Sequence, residues 1–317
     1  MDFQPLVITQ ARLEARDVIS VTMADPSGKS LPPWSPGAHV NVRLPSGQIR
    51  QYSLCGDPDD PMTYTIAIKR EPQPRGRGGS VEAHNTALAG STWHVAPPRN
   101  HFALGPAEQY LFLAGGIGVT PILAMIRRAV RDGSPWALHY GGRTAADMAF
   151  TQELQALGGS NVHVHPEDID AVPDLQAIVR SAPPGTTVYC CGPEPMLRAA
   201  ESVCEESGVP LHLERFSGGT RSPDAAASAG EFDVELARTG RIVHVASDST
   251  LLDALRDVVP DLPYSCEEGY CGACETRVLA GTPDHHDDVL TPEEQESGDM
   301  MMICVGRSLS ETLVLDI

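Results

Sequence analysis

Four cysteines carry the most specific chemistry in this 317-residue chain. Cys266, Cys271 and Cys274 are spaced C-x4-C-x2-C, and Cys304 stands alone downstream. This is the plant-type ligand spacing of a [2Fe-2S] cluster, in which a tight loop wraps the irons and the last thiolate arrives from another element. Gly269 and Gly272 let such a loop adopt conformations other residues resist, and they bring backbone amides close to the sulfurs. Zinc knuckles favour C-x2-C repeated twice, and disulfide frameworks belong mostly to short secreted chains, so both fit this spacing less well. A cluster only moves electrons, so other residues must supply them.

Four further stretches could do that. Arg50-Gln51-Tyr52-Ser53 sits in a strand-like segment, where alternation puts Arg50 and Tyr52 on one face and Gln51 and Ser53 on the other. A cation, an aromatic ring and a hydroxyl so close together suit a flat polar ring carrying a phosphate, although an ordinary strand can also read this way. Arg75-Gly76-Arg77-Gly78-Gly79-Ser80 leads into a helix expected from Val81. Glycines at a helix N-terminus beside two arginines make an anion site; the plainer reading is a loop with a serine cap. Gly115-Gly116-Ile117-Gly118-Val119-Thr120-Pro121 follows a buried-strand signal, with Thr120 expected to cap a helix and Pro121 to open it. Strand, glycine turn and helix form the architecture of a pyrophosphate site. Cys191-Gly192 closes a later strand at its carboxyl end, where ligands bind in such folds; a buried thiol packed as a small hydrophobe is the alternative.

The elements that must position these residues fall into three groups. Residues 6–69 alternate in short strands broken by turns, including Pro-Ser-Gly at 26–28 and 45–47, which predicts a small antiparallel β-barrel. From Tyr110 onward strands and helices alternate. Trp136–Tyr140 leads to a helix over Met148–Leu157, Val162–His165 to one over Asp174–Ser181, and Thr187–Cys191 to one ending near Ser207. That order predicts a parallel sheet in an α/β domain. Residues 217–230 are small and polar and read as a tether. Beyond them two strands, a helix, the cysteine loop and a closing strand predict a small α+β domain. The expected division is 1–104, 105–216, the linker 217–230, and 231–317. His285-His286-Asp287-Asp288 lie too close together on one loop to converge readily on a metal, and Met300–Met302 read as core filling.

Composition narrows the partners. Hydrophobic residues make up 41% and charged ones 21%, as in a globular protein, and the net charge of −19 argues against nucleic acid. Residues 231–317 hold 19 acidic and 5 basic side chains, a net −14, and the first 230 residues hold the remaining −5. That acidic stretch reads either as a solvated surface or as a face that docks on a basic partner. No apolar run is long enough to span a bilayer, and Met1-Asp2-Phe3-Gln4-Pro5 lacks the features of a signal peptide. The expectation is a cytoplasmic protein in which Cys55, Cys190, Cys191 and Cys204 remain reduced.

In this order, Arg50-x-Tyr52-Ser53, Gly78-Gly79-Ser80, the 115–121 turn with Cys191-Gly192-Pro193, and the cysteine set resemble the phthalate dioxygenase reductase family, along nearly the whole chain. The resemblance implies an FMN-binding barrel, an NADH-binding domain and a C-terminal plant-type ferredoxin of β-grasp fold. By that carry-over Arg50, Gln51, Tyr52, Ser53, Ile68, Lys69, Gly78, Gly79 and Ser80 hold the flavin. Gly115, Gly116, Gly118, Arg143, Cys191, Gly192, Pro193 and Met196 line the NADH site. Ser53, Thr120, Cys191 and Phe216 stand at the reacting centre, with Phe216 shielding the flavin ring. Asp168 is a candidate for the adenosine ribose, and Arg143 is expected on a loose turn after Gly141-Gly142. The implied activity is electron transfer from NADH to the terminal component of a Rieske-type oxygenase. A cytochrome P450 or a free ferredoxin as acceptor is the alternative, and a redox sensor is an alternative of another class.

Overall fold

The computed structural model describes residues 3–71, 78–170, 172–216, 230–259, 262–264, 266–270, 272–287 and 289–317. Arg75, Gly76, Arg77, Cys271, Asp288 and all of the expected linker except Gly230 lie outside the described residues. The chain divides into two compact units, Met1–Arg215 and Phe216–Ile317.

The first unit opens with strands β1 (Gln4–Ala15), β2 (Val18–Ala24), β3 (His39–Arg43), β4 (Ile49–Ser53) and β5 (Thr63–Lys69), helix α1 (Gly79–Thr86) and strand β6 (Thr92–Val95). They form one sheet in the order β4-β3-β6-β1-β2-β5. Every pairing in it is antiparallel. A bridge between Leu54 and Ile66, with the Cys55 amide donating to the Thr65 carbonyl at 2.8 Å, ties the two edges together and closes the barrel. Closure removes the unpaired edges that an open sheet would expose. Period-two alternation sends Leu6, Ile8, Val40, Val42, Ile66, Ile68, Trp93 and Val95 into its interior. β1 is longer than the short strands expected, and register shifts at Ile8/Gln10 and Leu13/Ala15 bend it around the barrel.

The same unit continues with β7 (Gln109–Gly115), α2 (Val119–Asp132), β8 (Trp136–Gly142), α3 (Thr151–Gly158), β9 (Val162–Pro166), α4 (Leu175–Ser181), β10 (Thr186–Cys191), α5 (Glu194–Ser207) and β11 (Leu211–Glu214). These strands make a wholly parallel sheet in the order β11-β10-β7-β8-β9. Alternation along β7 puts Phe112 and Ala114 on one face, under Ile122 and Met125 of α2 and Leu154 of α3. Leu111 and Leu113 take the other face, under Val179 of α4 and Leu197 of α5. Val18, Cys55 and Ala67 of the barrel join the α2 side of this core, so barrel and sheet fold against each other.

Local starts differ from expectation, each for a visible reason. Gly116–Gly118 wind into a 3-10 turn that runs straight into α2. Thr120 therefore lies inside the helix, its hydroxyl donating to the Ile117 carbonyl at 2.9 Å, and Pro121 follows it rather than opening the helix. α1 starts at Gly79 behind Gly78, whose φ of 84° is open to glycine, and the Ser80 hydroxyl is taken by the Glu71 amide at 2.9 Å. α3 starts at Thr151 because Phe150 turns left-handed, with φ 61°. The short strands β6 and β11 carry too little pattern to be read in advance.

In the second unit β12 (Phe232–Leu236), β13 (Arg241–Val245), α6 (Leu251–Arg256), β14 (Glu275–Ala280), β15 (Pro283–Asp284), α7 (Pro292–Ser297), β16 (Met300–Met302), β17 (Arg307–Ser308) and β18 (Thr312–Leu315) follow. Their main sheet runs β13-β12-β18-β14-β16, with β12 and β18 parallel, the mixed sheet of a β-grasp domain. Met301 and Met302 are fully buried in its core with Leu251, Leu252 and Leu255, as core filling requires.

The join between barrel and sheet rests on a backbone without room for a side chain. Gly37 has φ 93°, and a Cβ there would lie 1.9 Å from the Phe102 carbonyl oxygen and 3.0 Å from Met125 Cε. Gly37→Ala should destabilise the protein by about 2–4 kcal/mol, read as a lower urea midpoint; an unchanged midpoint would refute the reading.

Candidate functional site

The barrel builds one cradle. Arg50 on β4 lies across the start of α1, so closely that a Cβ on Gly79 would sit 2.2 Å from Arg50 Nε. Gly79 is therefore the residue that lets a guanidinium and the free amides of a helix N-terminus share one spot, which suits a phosphate. Ser80 and Lys69 flank it: the Ser80 hydroxyl accepts from the Glu71 amide at 2.9 Å, and Lys69 pairs with Glu71 at 3.3 Å. His84 reaches the Ile68 carbonyl at 2.9 Å and pins α1 to β5. Tyr52 faces the barrel interior, where burial raises its phenol above the ordinary value. Its hydroxyl and Gln51 Oε1 are buried without a hydrogen-bond partner among the described residues. Buried polar atoms are costly unless something meets them, so each suits a bound polar partner. Ser53 ends the strand, buried.

The parallel sheet builds the second cradle. At the carboxyl ends of β7 and β10 two turns pack back to back. A Cβ on Gly118 would lie 2.2 Å from the Cys191 carbonyl oxygen, and one on Gly115 would lie 2.5 Å from Pro193 Cδ and 2.9 Å from Met196 Sδ. Gly192 is equally tight, 2.8 Å from Met196 Sδ. Gly116, with φ 55°, instead faces open space. This is the crevice at which open parallel sheets bind ligands. The arrangement joins Gly115, Gly118, Cys191, Gly192, Pro193 and Met196, and it buries Thr120 beside them. All of this lies where a dinucleotide's pyrophosphate can approach bare backbone.

Glu214 belongs to this second cradle and escaped the sequence reading. It closes β11 in register with Cys191, and the Cys191 thiol points at its carboxyl, 4.0 Å away. Burial alone pushes the Glu214 carboxyl up to about 8, and burial pushes the Cys191 thiol well above its ordinary range. Both groups are therefore uncharged at neutral pH. Arg215 turns the other way and anchors β11 to α5 through Glu194 at 3.4 Å and Glu201 at 2.7 Å. The signal available in sequence was Glu214-Arg215-Phe216 itself, but without β11 nothing tied it to Cys191.

Gly141 and Gly142 are not a loose turn. They continue β8, paired with His165 and Pro166 of β9. A Cβ on Gly142 would meet Met148 Cγ at 2.5 Å, so the glycine is there for close packing. The exposed Arg143 follows, and the Asp168 amide donates to its carbonyl at 3.2 Å, which brings the candidate ribose reader beside it. Phe216 opens the second unit and is 36% exposed.

In that second unit Cys266, Cys274 and Cys304 are all buried. The Cys304 thiol is within hydrogen-bonding reach of the other two, and the Glu268 amide donates to Cys266 Sγ at 3.3 Å. Gly269 and Gly272 have φ of 79° and 68°, and a Cβ on Gly269 would strike Val305 Cγ2 at 2.7 Å. Three converging thiols with an amide donor fit a thiolate-bound cluster; Cys271 lies outside the described residues. No disulfide forms among the described cysteines, and His285, His286 and Asp287 form no metal-binding group among the described residues. No helix of the described residues is long and apolar enough to cross a membrane.

Comparison with known proteins agrees with this division of labour. The 2Fe-2S iron-sulfur cluster binding domain family matches residues 234–308. The N-terminal domain family of dimethylamine monooxygenase subunit DmmA-like proteins matches residues 96–212. The phenoxybenzoate dioxygenase subunit beta of Ectopseudomonas oleovorans is 44% identical over 306 residues, 96% of this chain and 94% of that protein. An intact type IV self-sufficient cytochrome P450 monooxygenase matches with a TM-score of 0.88 at 39% identity, covering 99% of this chain but only 41% of that one. The structure of phthalate dioxygenase reductase, which transfers electrons from pyridine nucleotides to [2Fe-2S], matches with a TM-score of 0.72 at 35% identity, covering 99% of this chain and 98% of that one. With end-to-end identity to that reductase and a ferredoxin-type domain at its C-terminus, the chain belongs to the phthalate dioxygenase reductase family of electron-transferring oxidoreductases.

Proposed function

We propose that this chain takes a hydride from NADH and passes the electrons, through FMN and a [2Fe-2S] cluster, to a separate Rieske-type terminal oxygenase. The observation that carries the reading is the pair of turns packed back to back at the ends of β7 and β10, beside an uncharged Cys191–Glu214 pair. When bound, the flavin accepts a two-electron hydride and returns electrons singly, and the cluster carries them one at a time. The chain's own residues bind, orient and exclude water. Arg50, Lys69, Ser80 and the α1 amides hold a terminal phosphate, which suits FMN. Tyr52, Gln51 and Ser53 meet the ring. Gly115, Gly116, Gly118, Gly192, Pro193 and Met196 receive the dinucleotide, with Arg143 and Asp168 at its adenosine end. A neutral Cys191 and Glu214 keep fixed charge away from the nicotinamide. Cys266, Cys271, Cys274 and Cys304 bind the cluster. The acidic surface of residues 231–317 docks on the oxygenase, and the free thiols suit a cytoplasmic protein.

A cytochrome P450 acceptor is the second reading, favoured by the likeness to the self-sufficient P450 structure. Titrating reduced protein with each class of acceptor separates the two, since only the true partner reoxidises it fast at low concentration.

Three outcomes are expected. Anaerobic addition of NADH should bleach flavin and iron–sulfur absorption together, and the extracted flavin should be FMN; a cluster without flavin, or no response to NADH, overturns the reading. Electron delivery to the oxygenase should slow as salt rises, because steering between exposed charges is screened; a flat salt response removes the acidic docking face. The third concerns pH. Glu214 has its proton-binding raised from an ordinary 4.5 to about 8 in the folded chain. Below the lower value both states are protonated. As pH rises between the two, only the unfolded chain releases the proton, so folding loses stability, and the loss levels off above the higher value. Glu214→Gln should match the wild type in Tm near the acid end and exceed it by several degrees at the alkaline end; parallel curves would refute the assignment.

A further inference from the structure

Among its described residues the cluster loop contains one backbone conformation that its residue type disfavours. Glu267 follows directly on Cys266 and has φ 60°, a left-handed conformation that costs a residue with a Cβ and costs glycine nothing. Gly269 and Gly272 meet the same requirement with glycine; at 267 the chain uses a glutamate. That turn has a visible consequence. It folds the backbone back so that the Glu268 amide, two residues on, donates to Cys266 Sγ at 3.3 Å. Alternating right- and left-handed residues form amide nests of this kind, and amide donation to a ligand sulfur is among the levers that set a cluster's potential.

What holds Glu267 in place comes from the helix that precedes the loop. Arg256, the last residue of α6, reaches its carboxylate at 3.0 Å. The same guanidinium lies over the Tyr264 ring, 4.1 Å from its centroid, and bonds Asp253 at 3.2 Å. It is thus fixed on three sides: by its own helix, by an aromatic ring just before the loop, and by the loop itself. The pair is partly exposed, with side-chain accessibilities of 32% and 40%, so its direct contribution to stability is small. Its effect is to choose a conformation.

We infer that Arg256 is a positioning residue for the iron–sulfur cluster: by clamping Glu267 left-handed it aims the Glu268 amide at the Cys266 sulfur. This rests on the reading of the cysteine set as cluster ligands. Loss of the clamp frees Glu267 to relax to negative φ, which turns the amide away and leaves more charge on the sulfur. The reduced, more negative cluster is then the harder state to reach.

The test uses the full-length protein carrying its cluster, with Arg256→Ala, Glu267→Gln and the double variant Arg256→Ala/Glu267→Gly. Spectroelectrochemical titration reads the cluster's midpoint potential, electron paramagnetic resonance of the reduced cluster reads its environment, and absorbance decay in air reads its loss. Both single variants should shift the potential downward, change the resonance line shape and lose cluster about tenfold faster. Adding glycine at 267 should restore all three, because glycine holds the turn without a clamp; a merely structural role for Arg256 would not be rescued in this way. Single variants with wild-type potential and line shape, or a double variant as impaired as Arg256→Ala, would overturn the inference. Glu267→Gln keeps the Arg256–Tyr264 stack, so it decides the matter if Arg256→Ala fails to fold. Wild-type protein without [2Fe-2S] absorption would refute the ligand reading itself, a distinct failure.

Discussion

The first unit depends on a contact that only bare backbone can make. Gly118 stands so close to the Cys191 carbonyl that a Cβ would be 2.2 Å away, and Gly115 and Gly192 are pressed as tightly against Pro193 and Met196. Because β7 and β10 are hydrogen-bonded neighbours in parallel register, their carboxyl ends emerge side by side, and the turns leaving them must share one small volume. Glycine at 115, 118 and 192 is the solution, and Gly116 is left with its open side free for a ligand. The rest of the unit supports that contact. α2 starts directly out of the turn, with Thr120 tied back to Ile117, and the core beneath α2 takes in Val18, Cys55 and Ala67 of the barrel. A shift at the glycine turn would therefore be felt in the barrel.

Charge is arranged by the same economy. Around the back-to-back turns burial suppresses ionisation: Glu214 holds its proton up to about 8, and the Cys191 thiol stays neutral well beyond that. A fixed negative charge there would repel a phosphate-bearing dinucleotide and stabilise the positively charged nicotinamide that results from hydride loss. A neutral pair would do neither. The second unit does the opposite and concentrates exposed acid at its surface.

What could be read in advance follows from where information is stored. The cysteine spacing, the barrel strands and the βα alternation are periodic or fixed-offset patterns, and such patterns survive in a single sequence. The starts of α4, α6 and α7 fell where Asp174, Thr250 and Thr291 cap them, but those of α1, α2 and α3 did not read correctly, because they depend on contacts made elsewhere. Thr120 has the chemistry of a cap, but the 3-10 turn of Gly116–Gly118 extends the helix past it. Ser80 likewise has the chemistry of a cap, but Glu71 claims its hydroxyl. Gly141-Gly142 resembles a flexible turn until β9 is seen pairing with it. Glu214 was invisible for a deeper reason: its importance is a register, Cys191 opposite Glu214, and register belongs to two strands rather than to either one.

The same logic explains why both units carry features that look like defects. Among the described residues, Tyr52 Oη and Gln51 Oε1 are buried without hydrogen-bond partners, and the thiols of Cys266 and Cys274 crowd against that of Cys304. An unmet buried polar atom costs free energy in the folded state, and thiols that must lose protons to bind metal gain their stability only with the metal. Groups of this kind suit a bound partner that meets them. A ligand that binds only the folded chain stabilises it in proportion to the logarithm of its concentration over its dissociation constant. A ligand that met these groups would therefore tie the stability of each unit to its loading.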